Sequence, residues 1–385
     1  MKIQINSIIK LLEIYVLRIL IHVLHIFPIK ENRIIITSYR GTQYACNPKY
    51  ITETILKTVP GKYELIWAFQ KPEKFKYLKD KGIKLVKFNS IKRFYYEATA
   101  KVSINNVGSF SWIPLRKGQE HVNTWHSGLD LTGCALTEPR NDVIMKKTLK
   151  MSTRETTLFL ASNKLFTHYS MKRQFQYTGK VLKYGLPRSD DFLNGNRPAI
   201  EKKMRNKLGI NEDTVVIMYA PTWRYAGIKA MPQISLSEIS KAMHDRFGNN
   251  YLVMKRAHHL TGKNQIENEK HIIDVSDYPN IQELITVCNI VISDYSSLIW
   301  DSALAGAYII LYTPDVKEYS IERGMYTSIY KWGFPVALNQ AELNSEISKI
   351  DLDKGKEMAD KHLKKFGSYE TGEASNKFCE WLAKL

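Results

Sequence analysis

The sequence predicts an α/β protein made of two doubly wound, Rossmann-like domains facing a cleft. Three observations carry this reading. Short apolar runs alternate with helical patterns through the first half of the chain, a polar NGNRPA stretch interrupts at 194–199, and a second strand–helix series follows. Strands alternating with helical segments build parallel sheets covered by helices on both faces. At 385 residues the chain is long enough for two such domains, each with its own core.

The first element is the run IIKLLEIYVLRILIHVLHIF at 8–27. A bilayer span wants about 20 apolar residues with few charges. Here Lys10, Arg18, His22 and His25 fall within about a third of a helical turn when laid out at about 100° per residue. No small-residue cleavage site precedes Pro28. Residues 1–28 therefore read as an amphipathic helix lying on a membrane surface. The alternatives are a helix packed on its own domain and a spanning helix. Residues 29–195 form the first α/β domain. Its strands are expected at 33–38, 64–69, 84–88, 102–105, 122–125, 158–161 and 181–184, with helices at 48–58 and 91–100. Residues 196–385 form the second. Its strands are expected at 215–220, 252–255, 272–275, 290–293 and 308–312, with helices at 235–247, 281–287, 298–304, 341–350 and 374–385. Two doubly wound domains facing a cleft make the GT-B arrangement, whose ligands bind outside the carboxyl ends of the strands.

Composition narrows the partners. Lys plus Arg number 56 against 38 Asp plus Glu, a net charge of +18 spread along the chain. Such an excess favours polyanions. No zinc-finger spacing, RNP motif or helix-turn-helix signature accompanies it, so an anionic membrane surface or a phosphate-rich substrate fits better than nucleic acid. The four cysteines, Cys46, Cys134, Cys288 and Cys379, are far apart and form no CxxC, as in a reducing compartment.

The polar residues at the expected strand ends carry the chemistry. Asp294, Ser296 and Ser297 lie between a buried strand and a helix, where hydroxyls and the helix dipole suit an anion. A serine there is also an ordinary N-cap. In YAPTWR, at 219–224, Pro221 fixes a turn, Thr222 offers a hydroxyl and Arg224 a fork donor suited to phosphate. Lys255 and Arg256 end another strand, in VMKRAHH, either facing phosphate or as a solvated strand end. His126 ends the strand HVNTWH before Ser127 and Gly128. Histidine suits a general base because its pKa lies near working pH; a turn-capping histidine is the plainer reading. Arg188, in GLPRSD at 185–190, belongs either to a phosphate site or to a hinge turn. Arg323, in ERGMY, is placed to reach a phosphate or to pair with Glu322 or Asp315.

Taken in order, the segment at 32–51 (NRIIITSYRGTQYACNPKYI), Trp125-His126, GLPRSD, YAPTWR, VMKRAHH, SDYSS and ERGMY resemble the CDP-glycerol glycerophosphotransferase family of teichoic-acid primases and polymerases. The resemblance covers about residues 30 to 380 and implies the same GT-B fold. It implies transfer of a polyol phosphate from CDP-glycerol or CDP-ribitol to a hydroxyl of a lipid-linked saccharide, releasing CMP, in teichoic acid or phosphate-containing capsule synthesis. It implies His126 as base and His258 on the donor pyrophosphate. Thr222, Arg224, Arg256, Asp294, Ser296 and Ser297 fall on the donor side, and Arg323 and Arg188 on the phosphate or acceptor side. The chain departs from the family in three places: SGLDLTG after His126 lacks the usual lysine, His259 replaces a proline, and Tyr225 replaces an aspartate. The first bears on the identity of the acceptor. With no DxD turn and no His/Cys ligand set, no metal or cofactor is expected beyond the CDP-polyol donor. The expected location is peripheral, at the cytoplasmic face of the membrane. The rival readings are a glycosyltransferase of the same fold, which calls for carboxylates in a sugar cradle, and a non-catalytic membrane-surface scaffold, which calls for loss of His126, His258 or the Ser pair.

Overall fold

A computed structural model describes residues 2–138, 142–222, 224, 234–256 and 270–385, with side chains in the first helix from residue 8. The chain forms two α/β units. The first contains seven strands: β1 Lys30–Ile36, β2 Glu64–Phe69, β3 Lys84–Lys87, β4 Ala100–Asn105, β5 Glu120–Asn123, β6 Leu158–Leu160 and β7 Lys180–Leu182. They pair in the order β3-β2-β1-β4-β5-β6-β7, all parallel. The second contains β8 Val215–Tyr219, β9 Tyr251–Lys255, β10 Ile272–Asp274, β11 Ile290–Ser293, β12 Tyr308–Tyr312 and β13 Val336–Ala337. Its order, β10-β9-β8-β11-β12-β13, repeats the same winding, again all parallel. This is the doubly wound pair of a GT-B-like fold.

The strand sequences show why. Parallel strands are buried on both faces and read as continuous apolar runs. In β1, Ile34 and Ile36 join one cluster with Leu65, Trp67 and Ile104, while Ile35 joins the opposite one with Ile66 and Ala68. In the second unit Ile217, Ile292 and Ile310 face the helices Leu236–Phe247 and Gln340–Ser348 through Ile239, Met243, Leu343 and Ile347. The two-residue strand β13 is too short to leave a pattern in the sequence.

The division of the chain differs from the expected break at 195/196. One unit holds Met1–His126, Cys134–Asp190 and Tyr369–Leu385; the other holds Ser127–Gly133 and Asp191–Ser368. The last helix, Ala374–Leu382, thus returns to the first unit, where Phe378 and Leu382 fill the cluster around Ile51 and Ile55. Asp190 fixes that return: its two carboxylate oxygens accept from the Ala374 and Ser375 amides, each at 2.8 Å. A carboxylate on the free amides of a first turn satisfies them and complements the helix dipole.

The first helix, Lys2–Leu24, also differs from expectation. The side that docks is the one that carries Arg18, although Lys10 and His22 of the same charged side stay exposed. Arg18 pairs with Glu155 at 2.6 Å and donates to the Ser111 carbonyl at 2.9 Å, and Ile14 and Ile21 are buried. The guanidinium finds its partners in the domain and not in water. The opposite side is left apolar and open: Leu12, Val16, Ile19 and Val23 are exposed, Ile19 by 66%. Among the described residues no helix is long and apolar enough to cross a membrane.

Candidate active-site residues in the two units

In a doubly wound sheet the chains leaving the two central strands turn to opposite faces, and the gap at their carboxyl ends is the ligand position. In the first unit that gap lies between β1 and β4, and the residues after β1, β4 and β5 gather there. β5 runs into Thr124, Trp125 and His126. Trp125 has φ 49°, a left-handed conformation that non-glycine residues adopt at a cost. Asn47 holds it, donating to the Thr124 and Trp125 carbonyls at 3.0 and 2.9 Å. The Asn123 side chain accepts from the Trp125 amide at 2.9 Å.

His126 is partly exposed, and its Nδ1 lies 2.8 Å from the Asn106 carbonyl just past β4. A carbonyl only accepts, so Nδ1 carries the hydrogen and Nε2 keeps its lone pair. Burial lowers the imidazole pKa to about 4, helped by the Arg188 guanidinium and opposed by the Asn106 bond. The ring is therefore neutral at pH 7 with Nε2 able to take a proton. The Asn106 side chain anchors a second segment: Oδ1 accepts from the Tyr39 amide at 2.8 Å, and Nδ2 donates to Ser38 Oγ at 3.3 Å. The Tyr39 ring meets the His126 ring edge-on at 5.8 Å.

Arg188 is buried. Its Nη1 donates to the His126 carbonyl and to Cys46 Sγ, and its amide donates to Asn47 Oδ1. It braces the strand end that carries the histidine. Gly185, in the same motif, has φ 91° and leaves room for Glu370, which accepts from the Leu186 amide at 2.9 Å. GLPRSD thus supplies a brace, a tight turn and a helix cap.

The second unit repeats the pattern between β8 and β11. Asp294, after β11, accepts from the Thr222 amide after β8 at 2.9 Å and from Arg224 at 2.8 Å. Arg224 also forks onto Asp315 at 2.7 and 3.1 Å and donates to the Thr222 carbonyl at 2.7 Å. Four of its five N–H donors are thereby committed, and the phosphate contact expected from the sequence gives way to an internal ion cluster. Tyr295 donates to Asp315 at 3.0 Å and stacks on Tyr319 at 3.7 Å, with Arg224 close to both rings. Burial opposes the charge on Arg224, but Asp294 and Asp315 together raise its pKa. Burial pushes the Asp294 carboxyl upward against the pull of Arg224.

Ser296 accepts from the Leu298 amide at 3.2 Å. Ser297, at the start of the helix Leu298–Leu304, makes no side-chain capping bond and is partly exposed, so its hydroxyl is the more available of the two. Arg256 is turned onto the Val275 and Tyr278 carbonyls at 3.1 and 2.8 Å and holds the loop after β10. Arg323 ends the helix Val316–Arg323 and lies close enough to Tyr319 to oppose the rise that burial gives its phenol, which reaches about 12. The following residues pair with the chain after His126: Thr132 bridges Met325, and Gly133 donates to the Gly324 carbonyl at 3.0 Å. Gly128 seats this segment, since a Cβ there would lie 2.3 Å from Trp300. His258, His259, Trp223 and Tyr225 lie outside the described residues. Among the described residues no group of three or more His, Cys, Asp or Glu could hold a metal ion.

The profile of the CDP-glycerol:poly(glycerophosphate) glycerophosphotransferases matches residues 19–384. The chain belongs to that family. It is 29% identical over 378 residues to a teichoic acid poly(glycerol phosphate) polymerase of Bacillus spizizenii, covering 94% of this chain and 95% of that one. It is 30% identical over 318 residues to a polymerase of the same description from Bacillus subtilis, covering 79% of this chain and 42% of that longer one. The solved structure of a wall teichoic acid polymerase superposes with a TM-score of 0.80 at 22% identity, over 100% of this chain and 98% of that one.

Sequence reasoning missed Asn47, Asn106 and Asp315. Each is a short polar residue just past a strand end or at a helix start, where its type alone reads as a turn. The ion cluster yields a prediction. Arg224→Ala leaves two carboxylates without their cation, one of them deeply buried, and should cost about 3–5 kcal/mol of stability in urea denaturation. A loss below about 1 kcal/mol would show that the guanidinium does not hold this site together.

Proposed function

We propose that this chain transfers glycerol phosphate from CDP-glycerol to a hydroxyl of a lipid-linked acceptor, with His126 as the general base. The acceptor oxygen attacks the phosphorus that bears the glycerol, the bond from that phosphorus to the CMP oxygen breaks, and the hydroxyl proton passes to Nε2 of His126. CMP leaves with the bonding electron pair. The observation that carries this reading is the Nδ1 contact to the Asn106 carbonyl, which leaves Nε2 as the proton acceptor. Glycerol phosphate is favoured as the transferred unit because the Bacillus spizizenii and Bacillus subtilis relatives named above are described by it, although more distant relatives are described as ribitol-phosphate enzymes. In the second unit the Arg224–Asp294–Asp315 cluster shapes the turn that presents Thr222 and Ser297, to which we assign the donor phosphates. His258 is assigned to the pyrophosphate by the motif VMKRAHH alone.

Incubation with CDP-glycerol or CDP-ribitol and a lipid-linked saccharide, followed by mass measurement of the product, tests the reaction. Addition of one or more glycerol phosphate units is expected; ribitol phosphate addition would redirect the donor assignment. His126→Ala should lower turnover by about 10²–10⁴ with donor binding kept. Turnover near the wild-type value would remove His126 from the chemistry.

We assign the open side of the helix Lys2–Leu24 to the surface of the membrane that holds the acceptor. An exposed apolar stripe on a chain of net charge +18 fits an anionic lipid surface, with basic residues near it contributing about 1 kcal/mol each. We assign that surface to the cytoplasmic side, which suits a nucleotide-activated donor. Removal of residues 1–27 should reduce sedimentation with anionic liposomes more than it reduces turnover on a short water-soluble acceptor. Undiminished sedimentation would take the anchor away from this helix.

A further inference from the structure

The turn after β1 holds three consecutive residues in the left-handed region. Tyr39 and Arg40 are both left-handed, with φ 45° and 55°, and Gly41 continues at 80°. Glycine is the residue such positions favour, and two consecutive bulky residues there persist only when their surroundings fix them. The surroundings do so through the backbone. The Tyr39 amide donates to Asn106 Oδ1 at 2.8 Å, the Tyr39 carbonyl accepts from Thr42 Oγ1 at 2.8 Å, and the Arg40 carbonyl accepts from Gln70 at 3.0 Å. Gly41 is pressed onto the sheet, where a Cβ would lie 2.8 Å from the Phe88 ring. None of these contacts uses the Arg40 side chain.

That side chain is exposed and makes no ion pair or hydrogen bond among the described residues. Elsewhere in the same unit Arg33 and Arg93 are paired with Glu64 and Glu97, and Arg188 is bound to the His126 carbonyl. Arg40 is an open guanidinium, as Arg154 and Arg173 are among the described residues of this unit, but of these three it is the one that follows the residue whose ring touches His126. The Asn106 that holds the turn is the same residue whose carbonyl orients the imidazole. A planar fork donor with no internal partner is matched to a phosphate or carboxylate.

We propose that Arg40 binds the anionic phosphate of the acceptor next to its reacting hydroxyl, and that the strained turn serves to hold this guanidinium beside the base. The inference rests on His126 acting on the acceptor. It makes the acceptor a phosphate ester and not a neutral saccharide end. The same chemistry is present in the donor pyrophosphate, so the test separates the two.

The variants are Arg40→Gly and Arg40→Lys. Glycine relieves the left-handed strain, so R40G should melt no lower than the wild type, and lost binding cannot then be blamed on misfolding. The probe is a short water-soluble acceptor ending in glycerol phosphate, titrated calorimetrically without donor, beside the same compound with its phosphate methylated to a neutral triester. R40G should weaken binding of the charged acceptor by about ten- to a hundredfold, and R40K by less. The triester should bind the wild type weakly and lose little more in R40G. In steady-state assays the acceptor KM should rise by a similar factor, with kcat and the KM for CDP-glycerol moving by less than about twofold. Unchanged binding of the charged acceptor in R40G overturns the proposal, as does a rise confined to the KM for CDP-glycerol. A lower melting temperature for R40G overturns the strain argument. A wild-type protein that binds the charged acceptor through Arg40 yet transfers nothing from CDP-glycerol would sink the proposed reaction and leave this subsite standing.

Discussion

The contact between His126 Nδ1 and the Asn106 carbonyl is the one on which the rest of the site depends. A partly exposed imidazole without a partner would be free to turn, and neither nitrogen would be assigned to the proton. One backbone carbonyl settles both the orientation and the tautomer. Everything around it keeps that carbonyl and that ring in place. Asn106 is tied through its side chain to Tyr39 and Ser38, Asn47 grips the two carbonyls before the histidine, and Arg188 grips the one at it. The cost shows in the backbone, where Tyr39, Arg40, Cys46 and Trp125 are all left-handed without being glycine. Such clustering is a feature of functional sites, because only an over-determined surrounding can hold it.

The second unit solves a similar problem with charge. The strand ends after β8 and β11 carry Arg224 and Asp294, and each would be costly to bury alone. Pairing them, with Asp315 as the third member, makes a rigid floor under Thr222 and the start of the helix Leu298–Leu304. Arginine in these motifs is therefore of two kinds. Arg188 and Arg224 are buried and consumed by their own unit, whereas Arg40 is open.

Most of the fold was legible because parallel strands buried on both faces leave unbroken apolar runs, as in Ile34–Ile35–Ile36 and Ile290–Val291–Ile292. Position along the chain was not evidence of position in space. The helix Ala374–Leu382 was readable as a helix, but its return to the first unit depends on Asp190 and on the apolar cluster around Ile51, which no local pattern announces. The first helix was readable as two-sided, yet Arg18 faces the protein, because Glu155, far along the chain, supplies its partner. At the site, the motifs located the strand ends, and two of their arginines, Arg188 and Arg224, are bound within their own unit. A motif arginine reads as a phosphate ligand until the carboxylates that enclose it are found, and Asp315 lies well beyond Arg224 in sequence.

The most direct test is ¹⁵N NMR of histidine-labelled protein, with His126→Asn used to assign the His126 resonances. Neutral His126 should carry its hydrogen on Nδ1 at pH 7 and protonate only as the pH falls to about 4, because burial disfavours the charged ring. The imidazole is then neutral throughout the neutral range and charged only in acid. Protonation at the ordinary histidine value of about 6.5, or a hydrogen on Nε2 at pH 7, would contradict the account.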